Sequence, residues 1–136
     1  MGAGNALWPA GLALALLTGA TAQAEEADAT RGERVFQRCY ACHSIESRET
    51  AKLEGPTLFR ILGRPAAAID DFDYSQSMRE KAAAGLVWEA AILDRYIADP
   101  EAVVSGTRMV LAPPLRDERE RADLIAYLAR SGRFER

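Results

Sequence analysis

The 136-residue sequence predicts an all-α domain of four to five helices with long irregular loops, wrapped around a large non-protein group. Three observations predict it. Four segments carry helical spacing and punctuation, and no segment carries a convincing period-two alternation. Two stretches, His43 to Tyr74 and Pro100 to Arg116, contain several Gly and Pro and little regular pattern; loops of that length are uncommon in a compact domain unless something else organises them. Finally, the two cysteines, Cys39 and Cys42, share one tetrapeptide immediately ahead of His43, the single histidine.

The first helical segment runs from Thr30 to about Tyr40, where Thr30-x-x-Glu33 has the form of a capping box ahead of Val35 and Phe36. It leads directly into the cysteines. The second starts at Ser75, passes through Met78 to Ala84, and has Gly85 placed to end it. The third follows Trp88, with Ile92, Leu93, Tyr96 and Ile97 on one apolar stripe, and stops at Asp99-Pro100 because proline cannot continue a helix. The fourth runs from Asp117 to about Arg130. Leu124, Tyr127 and Leu128 share one face, acids crowd its first turn, and Arg130 and Gly132 suit its C-terminal end.

The N-terminal segment reads as a leader. Leu7 to Ala20 is a short apolar run followed by small residues ending in Ala22-Gln23-Ala24, a pattern favoured by signal peptidases. A bilayer-spanning helix needs roughly 20 apolar residues and this run is shorter. No Lys or Arg occurs before Arg31. The expected organisation is therefore a signal peptide over residues 1–24 and one domain over 25–136, exported to the periplasm and free of the membrane after cleavage. The charged side chains lie in that domain and sum to −3, which argues against general nucleic-acid binding. Disulfides of exported proteins usually tie distant segments together, so two cysteines this close read as a site.

Cys39-Tyr40-Ala41-Cys42-His43 has the C-x-x-C-H form associated with attachment of haem c. Two thiols at this spacing can each add to one of two neighbouring vinyl groups, and the histidine that follows is then held beneath the iron. A thioredoxin-like redox pair would need a strand-to-helix context, and a zinc site would need further Cys or His ligands; this chain has neither. With one histidine, bis-histidine ligation within the chain is excluded. The sixth position falls to Met, Lys, a small molecule or nothing. Met78 lies in a helical segment where a flexible core filler is the simpler reading. Met109 follows Ser105-Gly106-Thr107-Arg108 in a loop with no apolar stripe to explain it, and is the expected ligand.

These residues resemble class I c-type cytochromes, the group that includes mitochondrial cytochrome c and its bacterial relatives, from Gly32 to Leu128. Gly32-Glu33-x-Val35-Phe36 is similar to that family's first helix, and Arg121-Ala122-Asp123-Leu124-Ile125-Ala126-Tyr127-Leu128 to its last, which crosses the first near Phe36. Gly55-Pro56-x-Leu58 matches the segment whose proline carbonyl receives the hydrogen bond of the ligating histidine. The resemblance implies the cytochrome c fold around one covalently bound haem. It also implies propionate contacts from Gly63-Arg64, Tyr74 and Trp88, a place for Tyr96 near the methionine sulfur, and a ligand loop at Gly106-Thr107-Arg108-Met109.

The function so implied is that of a monohaem one-electron carrier, not an enzyme, with His43 and Met109 as axial ligands. It would act as a monomer between a protein donor and acceptor, such as a membrane respiratory complex or a dehydrogenase, with no small-molecule substrate and no nucleic acid. The alternatives are a dedicated haem subunit of a dehydrogenase complex and a peroxidase-like or gas-binding haem protein; the last needs an open distal site, against which the Met109 loop argues. Two departures from the family pattern stand out. Arg60 replaces a common glycine between Leu58 and Gly63, and Leu111-Ala112-Pro113-Pro114 replaces an aromatic and a glycine. Lysines are only Lys52 and Lys81; Arg38, Arg108 and Arg116 fall at family positions near the haem edge, so the resemblance implies a smaller basic ring there, interrupted by Glu101 and Asp117.

Overall fold

The computed structural model describes residues 1–2, 26–48, 52–110 and 113–135; the expected leader lies outside them except for Met1 and Gly2. The described residues form five helices, α1 (Ala29–Phe36), α2 (Gln76–Ala83), α3 (Ala90–Ala98), α4 (Pro100–Val103) and α5 (Glu118–Ala129). Among them there is no strand, only an isolated antiparallel bridge between Pro65 and Val87.

Four of the five described helices start where a side chain satisfies the orphan N–H groups of the first turn, and α3, preceded by Glu89, does not. The cap of α1 is Asp28, not Thr30: its carboxylate accepts from Thr30 N and Arg31 N at 2.6 and 3.2 Å. Regular α1 also ends at Phe36, short of Tyr40. The chain continues in tighter turns, with Arg38 N donating to Val35 O and Cys39 N to Phe36 O, and these carry it into the cysteines. Ser75 caps α2 through Met78 N at 3.2 Å, and Gly85, at φ 85°, turns the chain out of it. Pro100 ends α3 as expected but also opens α4, because a missing N–H costs nothing at the first helical position; Asp99 caps that helix through Ala102 N. The stretch from Pro100 to Arg116 is thus less irregular than its composition implies. Asp117 caps α5 through Glu120 N at 2.8 Å.

Packing of α1 against α5 is the main helix interface, and α5 also rests on α3. Phe36 and Tyr127 meet there, ring centroids 5.3 Å apart. Asp123 on α5 is buried and accepts from Asp28 N at 2.6 Å and from Arg31 Nε and Nη2 at 2.7 and 2.9 Å. Arg121, also buried, reaches the other way: its Nε donates to Asp94 on α3 at 2.7 Å and its Nη1 to the Arg116 carbonyl at 2.7 Å. These two residues, on opposite sides of α5, fix it against both the N-terminal helix and α3. Leu124 and Leu128 then point inward with Leu93, Ile97 and Trp88, and what they enclose is the site.

Candidate haem site

The interior holds a cavity of about 280 Å³ whose walls are drawn from between Arg38 and Leu128. Cys39, Cys42, His43, Pro56, Arg64, Tyr74, Trp88, Tyr96, Thr107 and Met109 all line it. The apolar remainder of the wall includes Leu93, Ile97, Leu124 and Leu128, which the sequence places on helix stripes, and Ile61 and Phe72, which no sequence pattern marks. Their apolar spacing is that of ordinary core, and nothing in it distinguishes a wall from a packed interior.

The turns after α1 bring the two cysteines to one edge of the cavity, Cys39 part-buried and Cys42 exposed, both as free thiols. Burial pushes the Cys39 thiol up, partly offset by the neighbouring Arg38. His43 N donates back to the Cys39 carbonyl at 2.9 Å, so ring and thiols share one turn. The ring itself is held by Pro56, whose carbonyl lies 2.8 Å from Nδ1. A carbonyl only accepts, so Nδ1 carries the proton and Nε2 keeps its lone pair. Burial lowers the affinity of His43 for a second proton, the Pro56 bond opposes this, and Arg64 adds to it. Gly55 makes the arrangement possible: a β-carbon there would overlap the imidazole, Cε1 first.

Arg64 is buried at 3 % exposure, and among the described residues no carboxylate pairs with it. Its guanidinium donates to the carbonyls of Phe59 (3.0 Å) and Thr57 (2.7 Å), while burial pulls its pKa down. A buried cation with only neutral partners is costly unless an anion completes the site. Next to it Trp88 is pinned by two backbone bonds, Gly63 N to Trp88 O and Trp88 N to Arg64 O, and its ring lies 4.8 Å from that of Tyr96. The Tyr96 hydroxyl meets Thr107 Oγ1 at 2.7 Å, and Thr107 Oγ1 accepts Met109 N at 3.2 Å. Ser77 on α2 donates to Gly106 O at 2.9 Å, and Glu101 on α4 accepts Gly106 N at 2.9 Å. The segment before Met109 is therefore tied to α2, α3 and α4. Met78 also lines the cavity, but as part of the core face of α2.

The expected basic ring is weaker than its residue types imply. Arg38 donates to the Pro113 carbonyl and lies 3.8 Å from Glu120; Arg108 pairs with Asp73 at 3.6 Å, and Asp73 also takes Arg79 at 3.3 Å.

Two free thiols, a tautomerically fixed imidazole, a buried unpaired guanidinium and a thioether facing one apolar cavity fit a haem attached at Cys39 and Cys42. Comparison with known proteins agrees. The Cytochrome c family model matches residues 29–131. The chain belongs to the cytochrome c family. It is 42 % identical over 104 residues to cytochrome c type-1 of Ascaris suum, covering 76 % of this chain and 88 % of that one. Against cytochrome c2 of Blastochloris viridis it is 37 % identical over 115 residues, 85 % of this chain and 87 % of the other. Among solved structures, cytochrome c2 from Rhodospirillum centenum superposes with a TM-score of 0.71 at 33 % identity, covering 76 % of this chain and 98 % of that chain. This is a class I c-type cytochrome, a monohaem electron-transfer protein and not an enzyme, and it carries one covalently bound haem c. No helix among the described residues is long and apolar enough to cross a membrane.

Proposed function

We propose that this cytochrome is a periplasmic, monomeric shuttle, freed of its leader after Ala24, that carries single electrons between two protein partners with His43 and Met109 as the iron ligands. The haem, when bound, supplies the one-electron couple, its iron alternating between ferrous and ferric. The observation that carries the reading is the His43–Pro56 bond of 2.8 Å. It keeps the ring neutral and oriented, with Nε2 as the donor atom and a basicity raised by the carbonyl behind it. Met109, in a loop fastened through Thr107 and Gly106, would close the other position, and Met/His ligation raises the potential. Arg64, Tyr74 and Trp88 would face the propionates, with the Arg64 cation offsetting their charge. Support for a protein partner on each side, a respiratory complex or a dehydrogenase, comes from the closed character of this ligand set, which leaves no coordination site for a substrate.

The experiment is an absorption spectrum of the exported protein, oxidised and reduced, then with carbon monoxide added to the reduced form. A low-spin spectrum with the weak long-wavelength band of Met-ligated ferric haem and no response to carbon monoxide is expected, and Met109→Ala should abolish that band. A high-spin ferric spectrum, or ready binding of carbon monoxide, would mean an open iron and refute the carrier reading.

A further inference from the structure

Arg60, which stands where the family commonly has glycine, has φ 52°, a left-handed conformation that strains a residue with a side chain. What holds it there comes from the other end of the chain. Ser131 Oγ accepts the Arg60 N–H at 2.8 Å and donates to the Leu128 carbonyl at 2.8 Å. The Arg60 Nε donates to the Ser131 carbonyl at 3.3 Å. Two residues beyond Gly132, the Phe134 N–H donates to the Leu62 carbonyl at 2.8 Å. The segment after α5 therefore clasps the turn around Arg60.

One peptide unit links this clasp to the cavity. The Phe59 carbonyl accepts the buried Arg64 guanidinium at 3.0 Å, and the N–H of that same peptide is the Arg60 N–H held by Ser131. A peptide is planar, so fixing its N–H fixes the direction of its carbonyl. We propose that Ser131 is a positioning residue for Arg64: through the Phe59–Arg60 peptide it holds the guanidinium in the cavity wall and so sets the reduction potential of the centre. This rests on the reading of Arg64 as facing the propionates. A cation fixed in a buried wall favours the added electron, whereas one that swings into water is screened.

The test is the midpoint potential of the haem-loaded Ser131→Ala variant. A downward shift is expected, restored by Ser131→Thr, which keeps the hydroxyl, and absent when Ser131→Ala is made in an Arg64→Gln background. A chain terminated after Gly132, which loses the Phe134 bond but keeps α5, should shift the same way, and hydrogen exchange at the Arg60 amide should accelerate in Ser131→Ala. An unchanged potential in Ser131→Ala, or a shift that persists in the Arg64→Gln background, would overturn the inference while the Met-ligated spectrum of the parent protein still stood. Loss of that spectrum in the parent would instead sink the reading of the site.

Discussion

Gly32 on α1 faces the backbone carbonyl of Asp123 on α5 so closely that a β-carbon would overlap it, with the Tyr127 β-carbon 2.8 Å away. The two helices cross backbone to backbone, and a glycine is what lets them do so. Gly32→Ala must push α5 outward or break α1. Overpacking of this kind costs about 3 kcal/mol. Urea unfolding of the haem-loaded protein, followed by far-ultraviolet circular dichroism, should show a lower midpoint, and an unchanged midpoint would mean the crossing is looser than described.

Asp123 gives stability a dependence on acid. Its carboxyl is held below the ordinary 3.8, first by the Arg31 side chain; burial opposes this, and the Asp28 N–H adds to the lowering. A carboxylate depressed in the folded state contributes stability that is complete above its unfolded pKa and is lost as pH falls through the folded value. The expected loss therefore begins near pH 4 and deepens below it. Asp123→Asn should cost about 2 kcal/mol at pH 7, the worth of hydrogen bonds to a charged group, and should flatten the acid limb. Equal slopes for parent and variant between pH 5 and 3 would contradict the assignment.

Thr107 joins Tyr96 to the backbone of Met109. Thr107→Val keeps the shape but removes the hydroxyl, and a lost hydrogen bond of about 1.4 kcal/mol is a tenfold change in an equilibrium. Added imidazole, which competes with Met109 for the iron, should bind to ferric Thr107→Val about tenfold more tightly than to the parent. Equal affinities would place the hydroxyl outside the control of that ligand.

Asp73 sits between Arg79 and Arg108. Asp73→Asn leaves both cations uncompensated at the rim. Electron transfer with an anionic partner should speed up by about two- to threefold at low ionic strength and lose the gain near 0.5 M salt, where screening acts over only a few ångströms. A gain that survives high salt would point to a change other than charge.

What the sequence disclosed and what it withheld divide along physical lines. Cys39, Cys42 and His43 are adjacent, so their chemistry is local and visible in the letters. Pro56 and Met109 carry side chains or backbone groups of recognisable type in recognisable loops, and they line the same cavity as the cysteines. The sequence points to Thr30 as the cap of α1 where the structure uses Asp28, because both are good capping residues; the bond from Asp28 N to Asp123, across 95 residues, favours the latter. α4 has no separate signal in the sequence because Pro100 both stops one helix and starts the next, and a stop is the stronger local signal. The carbonyls of Thr57 and Phe59 that hold Arg64 have no signature at all, since every residue has a carbonyl.

The bonds from Asp28 and Arg31 to Asp123 span 95 and 92 residues, and they have a consequence for how the chain is made. Among the described residues the first helix packs chiefly on the last, so no finished interior can exist until α5 is in place. Until α5 is present, Cys39 and Cys42 lie on an unclosed chain. A chain ending before Asp117 is expected to expose both thiols fully to alkylation.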